Sequence, residues 1–366
     1  MSRRLSLYVV LLFLRFLALF YACAVAVFLV ADFVDRAKAY TGPNWVADVA
    51  VLYGYKALTA AQQLGPAVLL LAAGATVSAL KRRGELTAIL GLGFGPRAIY
   101  LPLGLCALLV AALLFGFDEK VVAEAGRKVD EITTNRFKRW GDWRFHFQPK
   151  QWFRVQDRIF HLRGGDPDHG YEQVMVLTLT PDFKLGSRLD ADRMVFREGT
   201  RWELFNVMER KFLGPGRTEL RTAAQEIFDL GAGEKAFEIR QGRPEQMRLR
   251  TLRHQREARE QVGLPARPFA FAIHNRFAYP ASGWAAALLS VGLALRPGRR
   301  GGLTASVVES LVLVLGLWGL MVVSKALVLS ERLAPWVAAW LPVAMFGSVG
   351  LVLWIHRERG LSWRKI

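Results

Sequence analysis

Cysteine is almost absent from this chain: two in 366 residues, Cys23 and Cys106, each inside an apolar run. That excludes a disulfide framework and any zinc site built on paired cysteines. Histidine is scarce too, at six, and none forms an HExxH or HxH pair beside a carboxylate at ligand spacing. Asp157 and His161 are four apart on a strand-like stretch, with nothing else assembled around them. A serine nucleophile elbow and a GxxxxGK[ST] phosphate loop are also missing. The chain therefore cannot bind ATP through a phosphate loop of its own, and energy-requiring work would draw on a partner or an ion gradient. "GLGFGP" at 91–96 carries three glycines. It follows a charged turn rather than a strand, and no acid follows at the distance a dinucleotide ribose needs. Nothing here implies a catalytic, metal or cofactor site.

Acids are the next scarcity, and it is local. The chain holds 49 Lys/Arg against 31 Asp/Glu, a formal net charge of +18. Residues 118–275 contribute 29 cations and 24 acids, only +5, while the remainder contributes 20 and 7. Those excess cations sit mostly at the ends of long apolar runs. That is the charge pattern of membrane topology rather than of a nucleic-acid surface.

Six runs are long enough to cross about 30 Å of hydrocarbon as helices: roughly 7–30, 57–80, 98–117, 277–295, 305–329 and 335–356. The first is too long for a signal-peptide core and lacks a small-residue cleavage pattern, so it reads as a retained span. With the N-terminus in the cytoplasm, thirteen cations fall on that side: Arg3, Arg4, Lys81, Arg82, Arg83, Arg97, Arg296, Arg299, Arg300, Arg357, Arg359, Arg364 and Lys365. The short loops opposite carry four, Arg36, Lys38, Lys56 and Arg332, balanced by Asp32, Asp35, Asp48 and Glu331. The positive-inside rule then places both termini in the cytoplasm and the middle segment outside it. Arg15, Glu309 and Lys325 lie within spans. Two readings stay open for them: snorkelling to the headgroups, or facing a cavity.

The expected organisation is residues 1–117 with three spans, 118–275 as an extracytoplasmic β domain, and 276–366 with three more spans and a short tail. Within the middle segment, "FRVQDRIFHL", "QVMVLTLT", "RMVFREGTRWELFNVMERKFL" and "TAAQEIFDL" alternate or cluster β-branched and aromatic residues between Gly/Pro/Asp turns. Many strands and no long helix between them predict a sandwich or jelly roll. Helical segments flank it, "DEKVVAEAGRKVDEITTNRFKRW" before and "PEQMRLRTLRHQREAREQVG" after.

The connector "KRRGELTAILGLGFGPR", residues 81–97, is longer than a turn requires. "GELTAIL" has helix-forming character, with Glu85 in the first turn where the macrodipole favours an anion. Leu86, Ile89 and Leu90 share a face. A short amphipathic helix along the cytoplasmic surface follows, suited either to docking a soluble partner or to lying on lipid beside Lys81, Arg82 and Arg83.

In this layout four stretches resemble the LptF/LptG permeases of the lipopolysaccharide exporter. They are "DFVDRAKAYTG" (32–42), "GELTAILGLGFGPRAI" (84–99), "NRFAYPASGWAAALLSVGLALRPGRRGG" (275–302) and "LAPWVAAWLPVAMFGSVGLVLW" (333–354). The first favours the LptG type. The resemblance implies an α-helical membrane protein with six transmembrane helices and a periplasmic, jellyroll-like all-β domain between helices 3 and 4. It implies a non-catalytic permease in the bacterial inner membrane, paired with a second LptF/LptG-type permease, whose first and fifth spans gate a central cavity. An LptB-like ATPase dimer would dock on the coupling helix, with contacts at Glu85, Leu86, Ile89 and Leu90. Lipopolysaccharide would pass to an LptC/LptA-like periplasmic jellyroll protein. Lipid phosphates would meet Arg36 and Lys38. Asp32 and Ala39 depart from the family's pattern, since the enterobacterial type places lysines there.

Overall fold

The computed structural model describes residues 3–137, 151–155, 157–166, 170–214, 217–233, 244–261, 264–296 and 303–358. They fall into two compact units: Met1–Arg139 with Ala270–Ile366, and Trp140–Phe269.

The first unit is helical. Its elements are α1 (Arg3–Arg36), α2 (Trp45–Arg82), α3 (Glu85–Gly91), α4 (Arg97–Phe117), α5 (Ala123–Asn135), α7 (Arg267–Ala294), α8 (Leu303–Leu329) and α9 (Pro335–Glu358), with α6 (Leu249–Gln261) belonging to the second unit. Six helices are long and apolar enough to cross a membrane. At 1.5 Å per residue, α1 spans about 51 Å and α2 about 57 Å, so both reach well beyond about 30 Å of hydrocarbon. The helix that carries the second span therefore begins at Trp45, well ahead of the apolar run expected from residue 57. "WVADVAVLYGYK" loses hydropathy to Asp48 and Lys56, yet holds no breaker stronger than Gly54, so the backbone ladder continues through it. Likewise the helical path of the third span does not stop at residue 117. A π turn at Asp118–Val122 carries α4 directly into α5, absorbing the register change without ending the helix. At that turn Arg276, its side chain 4% exposed, meets Asp118 at 2.7 Å and Glu119 at 3.8 Å. A buried guanidinium needs such partners.

Helix α2 is the centre of this bundle, with 78% of its apolar window buried, whereas the corresponding share for α1 and for α8 is 22%. Small residues let its neighbours approach closely. A Cβ on Gly283 would come within 2.7 Å of the Cα of Pro66, and one on Gly74 within 2.4 Å of Ser290 Oγ. Gly283 faces backbone, which cannot yield as a flexible side chain would. Gly283→Val is expected to cost about 1–3 kcal/mol and to lower the melting temperature of the purified protein. An unchanged melting temperature would show that α7 and α2 can separate freely.

The second unit is a six-stranded antiparallel sheet in sequential order: β1 (Gln151–Val155), β2 (Arg158–Asp166), β3 (Gly170–Leu179), β4 (Leu185–Glu198), β5 (Arg201–Gly214) and β6 (Arg217–Asp229). The all-β domain expected between the third and fourth spans is present, and its described strands form one meander. Alternation decides the buried face: Phe160 and Leu162, Val174 and Val176, Leu189 and Ala191 each lie two apart and pack together. Trp202, 1% exposed, fills the middle of that core and donates its indole N–H to the Ala232 carbonyl at 2.7 Å. Ala258 of α6 closes part of the same core. Glu203 on β5 accepts from Gln225 and Arg197, which together hold its carboxyl below the usual carboxylate range. Strand β4 begins at Leu185, ahead of the stretch "RMVFREGTRWELFNVMERKFL", which the structure divides between β4 and β5. Of its opening residues "LGSRLDAD" only Leu189 and Ala191 are buried apolar positions, while Arg188 and Asp190 pair on the opposite face.

Candidate functional site

At the end of α1, the chain turns through Ala37–Ala39 before α2 begins. The two helices pack along their length, so residues at the end of α1 meet the second and third turns of α2. Asp32 is the hub. It lies 2.9 Å from Arg36 Nε, one turn on, accepts from the Tyr53 hydroxyl at 2.8 Å, and pairs with the ammonium of Lys56. Lys56 also donates to Tyr40 at 3.4 Å and lies over the Tyr53 ring, 4.8 Å from its centroid. The Tyr40 and Tyr53 hydroxyls are 3.1 Å apart. Phe33 and Phe137 pack around the two tyrosines.

Lys56 is 8% exposed. An ammonium is buried only where a counter-charge and hydrogen bonds replace its water. Asp32 supplies the charge, and the cation it holds comes from α2. Asp32 is thus shared between two cations. Arg36 approaches it through Nε, leaving the terminal guanidinium nitrogens for another acceptor. Lys38 is exposed, with no ion-pair partner among the described residues. Arg36, Lys38 and Lys56 outweigh Asp32 and Asp35 by one charge. The exposed rim can therefore offer charge-assisted hydrogen bonds to an anionic group, while the interior is a closed, self-satisfied network.

Lys56 was legible only as a cation at the mouth of the second span. The available signal was the unbroken helical run from Trp45, which puts Tyr53 and Lys56 three apart on one face inside a helix. Lys56→Ala is expected to cost about 3 kcal/mol, the low end of the range for breaking a buried pair, since Arg36 and Tyr53 still hold Asp32. Asp32→Asn with Lys56→Met should recover most of it. Thermal melts of the two variants decide the matter, and a Lys56→Ala protein as stable as the parent would remove the network's structural role.

At the opposite end of α2, α3 forms a short helix after Gly84, which adopts φ of 73° to reverse the chain. Glu85 accepts from the Tyr8 hydroxyl of α1 at 2.7 Å and sits 3.8 Å from Arg83. The apolar face divides. Leu86 and Ile89 are 6% and 7% exposed, and Leu86 packs into the bundle core, while Leu90 and Leu92 are 43% and 77% exposed. So one pair anchors the helix to the spans and the other faces outward.

The three intraspan charges do not converge in this chain. Arg15 is exposed on α1 and has no ion-pair partner among the described residues. Glu309 is half-buried and Lys325 exposed on α8, and each has an interaction within the chain. His161 on β2 packs against Trp152, ring centroids 4.3 Å apart. His146 and His169 lie outside the described residues.

A family model described as lipopolysaccharide export system permease LptF/LptG matches residues 7–356. No curated protein matches the chain.

Proposed function

The chain belongs to the LptF/LptG family of lipopolysaccharide export permeases, a multi-pass inner-membrane protein, and from that premise we propose its part in the export machine. It is the LptG-type permease subunit of an ABC exporter, non-catalytic itself, paired with a second LptF/LptG-type permease. Together they extract lipopolysaccharide from the inner membrane and pass it to a periplasmic β-jellyroll bridge that begins with the sheet β1–β6 and continues in LptC/LptA-like proteins. Both termini and α3 lie in the cytoplasm, and the sheet lies in the periplasm. The thirteen-to-four cation asymmetry supports that orientation.

The observation that carries the reading is the uneven burial of the spans. Helices α1 and α8, the first and fifth spans, each bury only 22% of their apolar windows, against 78% for α2. Their exposed residues, such as Val27, Val30, Val312 and Leu315, form apolar faces that this chain does not cover. Faces of that kind suit a gate between a second permease and the bilayer. At one end of α1, Arg36 and Lys38 meet lipid phosphates. At the other, α3 meets an LptB-like ATPase dimer. Hydrolysis there moves α3, and Leu86 and Ile89 transmit that motion to the spans.

Depleting the chain from its own cells is expected to strand newly made lipopolysaccharide in the inner membrane. Pulse-labelled lipopolysaccharide followed by membrane fractionation reads this directly. Arrival at the outer membrane at the normal rate in depleted cells would reject the proposed function.

A further inference from the structure

A groove of about 340 Å³ runs between α4, α7 and α9, and neither α1 nor α8 lines it. Leu105, Leu108, Leu288 and Leu351 make its walls apolar. Leu105 and Leu351 are 65% and 48% exposed, so it opens outward. That volume lies near the lower end of the range for small-molecule sites, about 300–1,000 Å³, and suits a single hydrocarbon chain rather than a many-chained lipid.

One end of the groove is different. Tyr100 and Trp354 line it with their rings stacked 5.9 Å apart, and Tyr100 is only 2% exposed. The Tyr100 hydroxyl and the Trp354 indole N–H are buried without a hydrogen-bond partner. Room for that hydroxyl depends on Gly292, where a Cβ would stand 2.6 Å from it. Arg357, one turn beyond Trp354 on the same helix face, also buries its Nε without a partner. It lies within electrostatic reach of Arg296 and Tyr100. Lys81 joins this cluster, donating to the Arg296 carbonyl at 2.7 Å. The adjacent carboxylate, Glu358, is engaged with Arg97 at 2.8 Å and leaves its other oxygen unpartnered.

Other polar groups along the groove are satisfied. The Trp284 indole donates to the Gly104 carbonyl at 3.1 Å and Ser348 to the Met345 carbonyl at 3.1 Å. Among the described residues, Tyr100 and Trp354 therefore bring two unmet O–H or N–H groups to this end of the groove, and the third, on Arg357, lies one turn beyond the lining beside Arg296. Leaving buried donors unmet is costly, more so than never burying them. A ligand rich in acceptors, negatively charged and attached to a hydrocarbon chain would satisfy all of them.

We propose that this groove binds an anionic phospholipid of the surrounding bilayer. One acyl chain lies between α4 and α9, and the phosphate and ester oxygens sit on Tyr100, Trp354 and Arg357. On the orientation proposed above, the lipid comes from the cytoplasmic leaflet. It is a fixed lipid joining the third, fourth and sixth spans, separate from the transported one.

The test places a photo-crosslinking amino acid at Leu105, in the groove, or at Leu113, exposed on the same helix outside it. The full chain with its native partners is reconstituted into bilayers containing radiolabelled phosphatidylglycerol or phosphatidylcholine. Position 105 should label with phosphatidylglycerol at least about tenfold above position 113 (~1.4 kcal/mol) and with phosphatidylcholine at background. Arg357→Gln combined with Tyr100→Phe should abolish that excess, while the crosslinker at 113 reports the same background in both proteins. Equal labelling at both positions, or by both lipids, would overturn the proposal. So would capture of a protein chain or of lipopolysaccharide at position 105, which would make the groove a subunit interface or part of the transport path. The readout does not require transport, so it stands or falls apart from the exporter reading.

Discussion

Replacing Arg36 and Lys38 together with glutamate is expected to reduce photo-crosslinking of lipopolysaccharide to the outer end of α1 by at least about tenfold, or ~1.4 kcal/mol. The size follows from the local charge balance. The rim exceeds its acids by one charge through Arg36, Lys38 and Lys56, and the double exchange makes it strongly negative. Each charge-assisted hydrogen bond contributes about 1.5–3 kcal/mol, and solvent screening at this exposed rim reduces but does not erase the loss of two. The fold should survive, since Lys56 and Tyr53 still satisfy Asp32. The conservative pair Arg36→Lys with Lys38→Arg should keep most of the crosslinking. Equal crosslinking in the glutamate variant would show that phosphates are met elsewhere.

The second large effect is expected at α3. On the proposed docking role of α3, Glu85→Lys should remove most of the ATPase expected to co-purify with the chain. The substitution removes the acceptor for the Tyr8 hydroxyl. It also places a third cation beside Arg82 and Arg83, at a helix N-terminus where the macrodipole opposes positive charge. Leu86 and Ile89 remain packed, so the loss reports on the outward surface of Glu85, Leu90 and Leu92 rather than on unfolding. Glu85→Gln, which keeps an acceptor for Tyr8 but not the charge, should fall between the two. Undiminished capture of the ATPase by the lysine variant would assign the docking surface to another loop.

Much of the architecture was readable because hydrophobic length is a strong signal. The fourth and sixth spans, expected over 277–295 and 335–356, fall on α7 and α9, the fourth overrunning α7 by one residue. The helices that carry the second and third run on past their polar ends, through Lys56 and Asp118. Hydropathy marks where a helix leaves lipid, not where its hydrogen bonds stop. Strand alternation located β2, β3, β5 and β6. The start of β4 offered only Leu189 and Ala191 as buried apolar positions, too short a run to stand out.

The site was less readable, for a geometric reason. Arg36, Lys38 and Glu85 could be named from local context. The partner that turns Asp32 into a hub is Lys56, 24 residues away on another helix, and single-chain periodicity carries no information about such a pair. In the same way, Leu86, Ile89 and Leu90 share a helical arc, but only packing against α2 decides which of them face inward.

The most direct test is to purify the tagged chain from its native membranes in mild detergent and identify what accompanies it. The account predicts a stoichiometric ATPase dimer, a second six-span permease and bound lipopolysaccharide. A chain that emerges alone, under conditions that preserve other membrane complexes, would contradict it and leave α3 as a helix that merely lies on lipid.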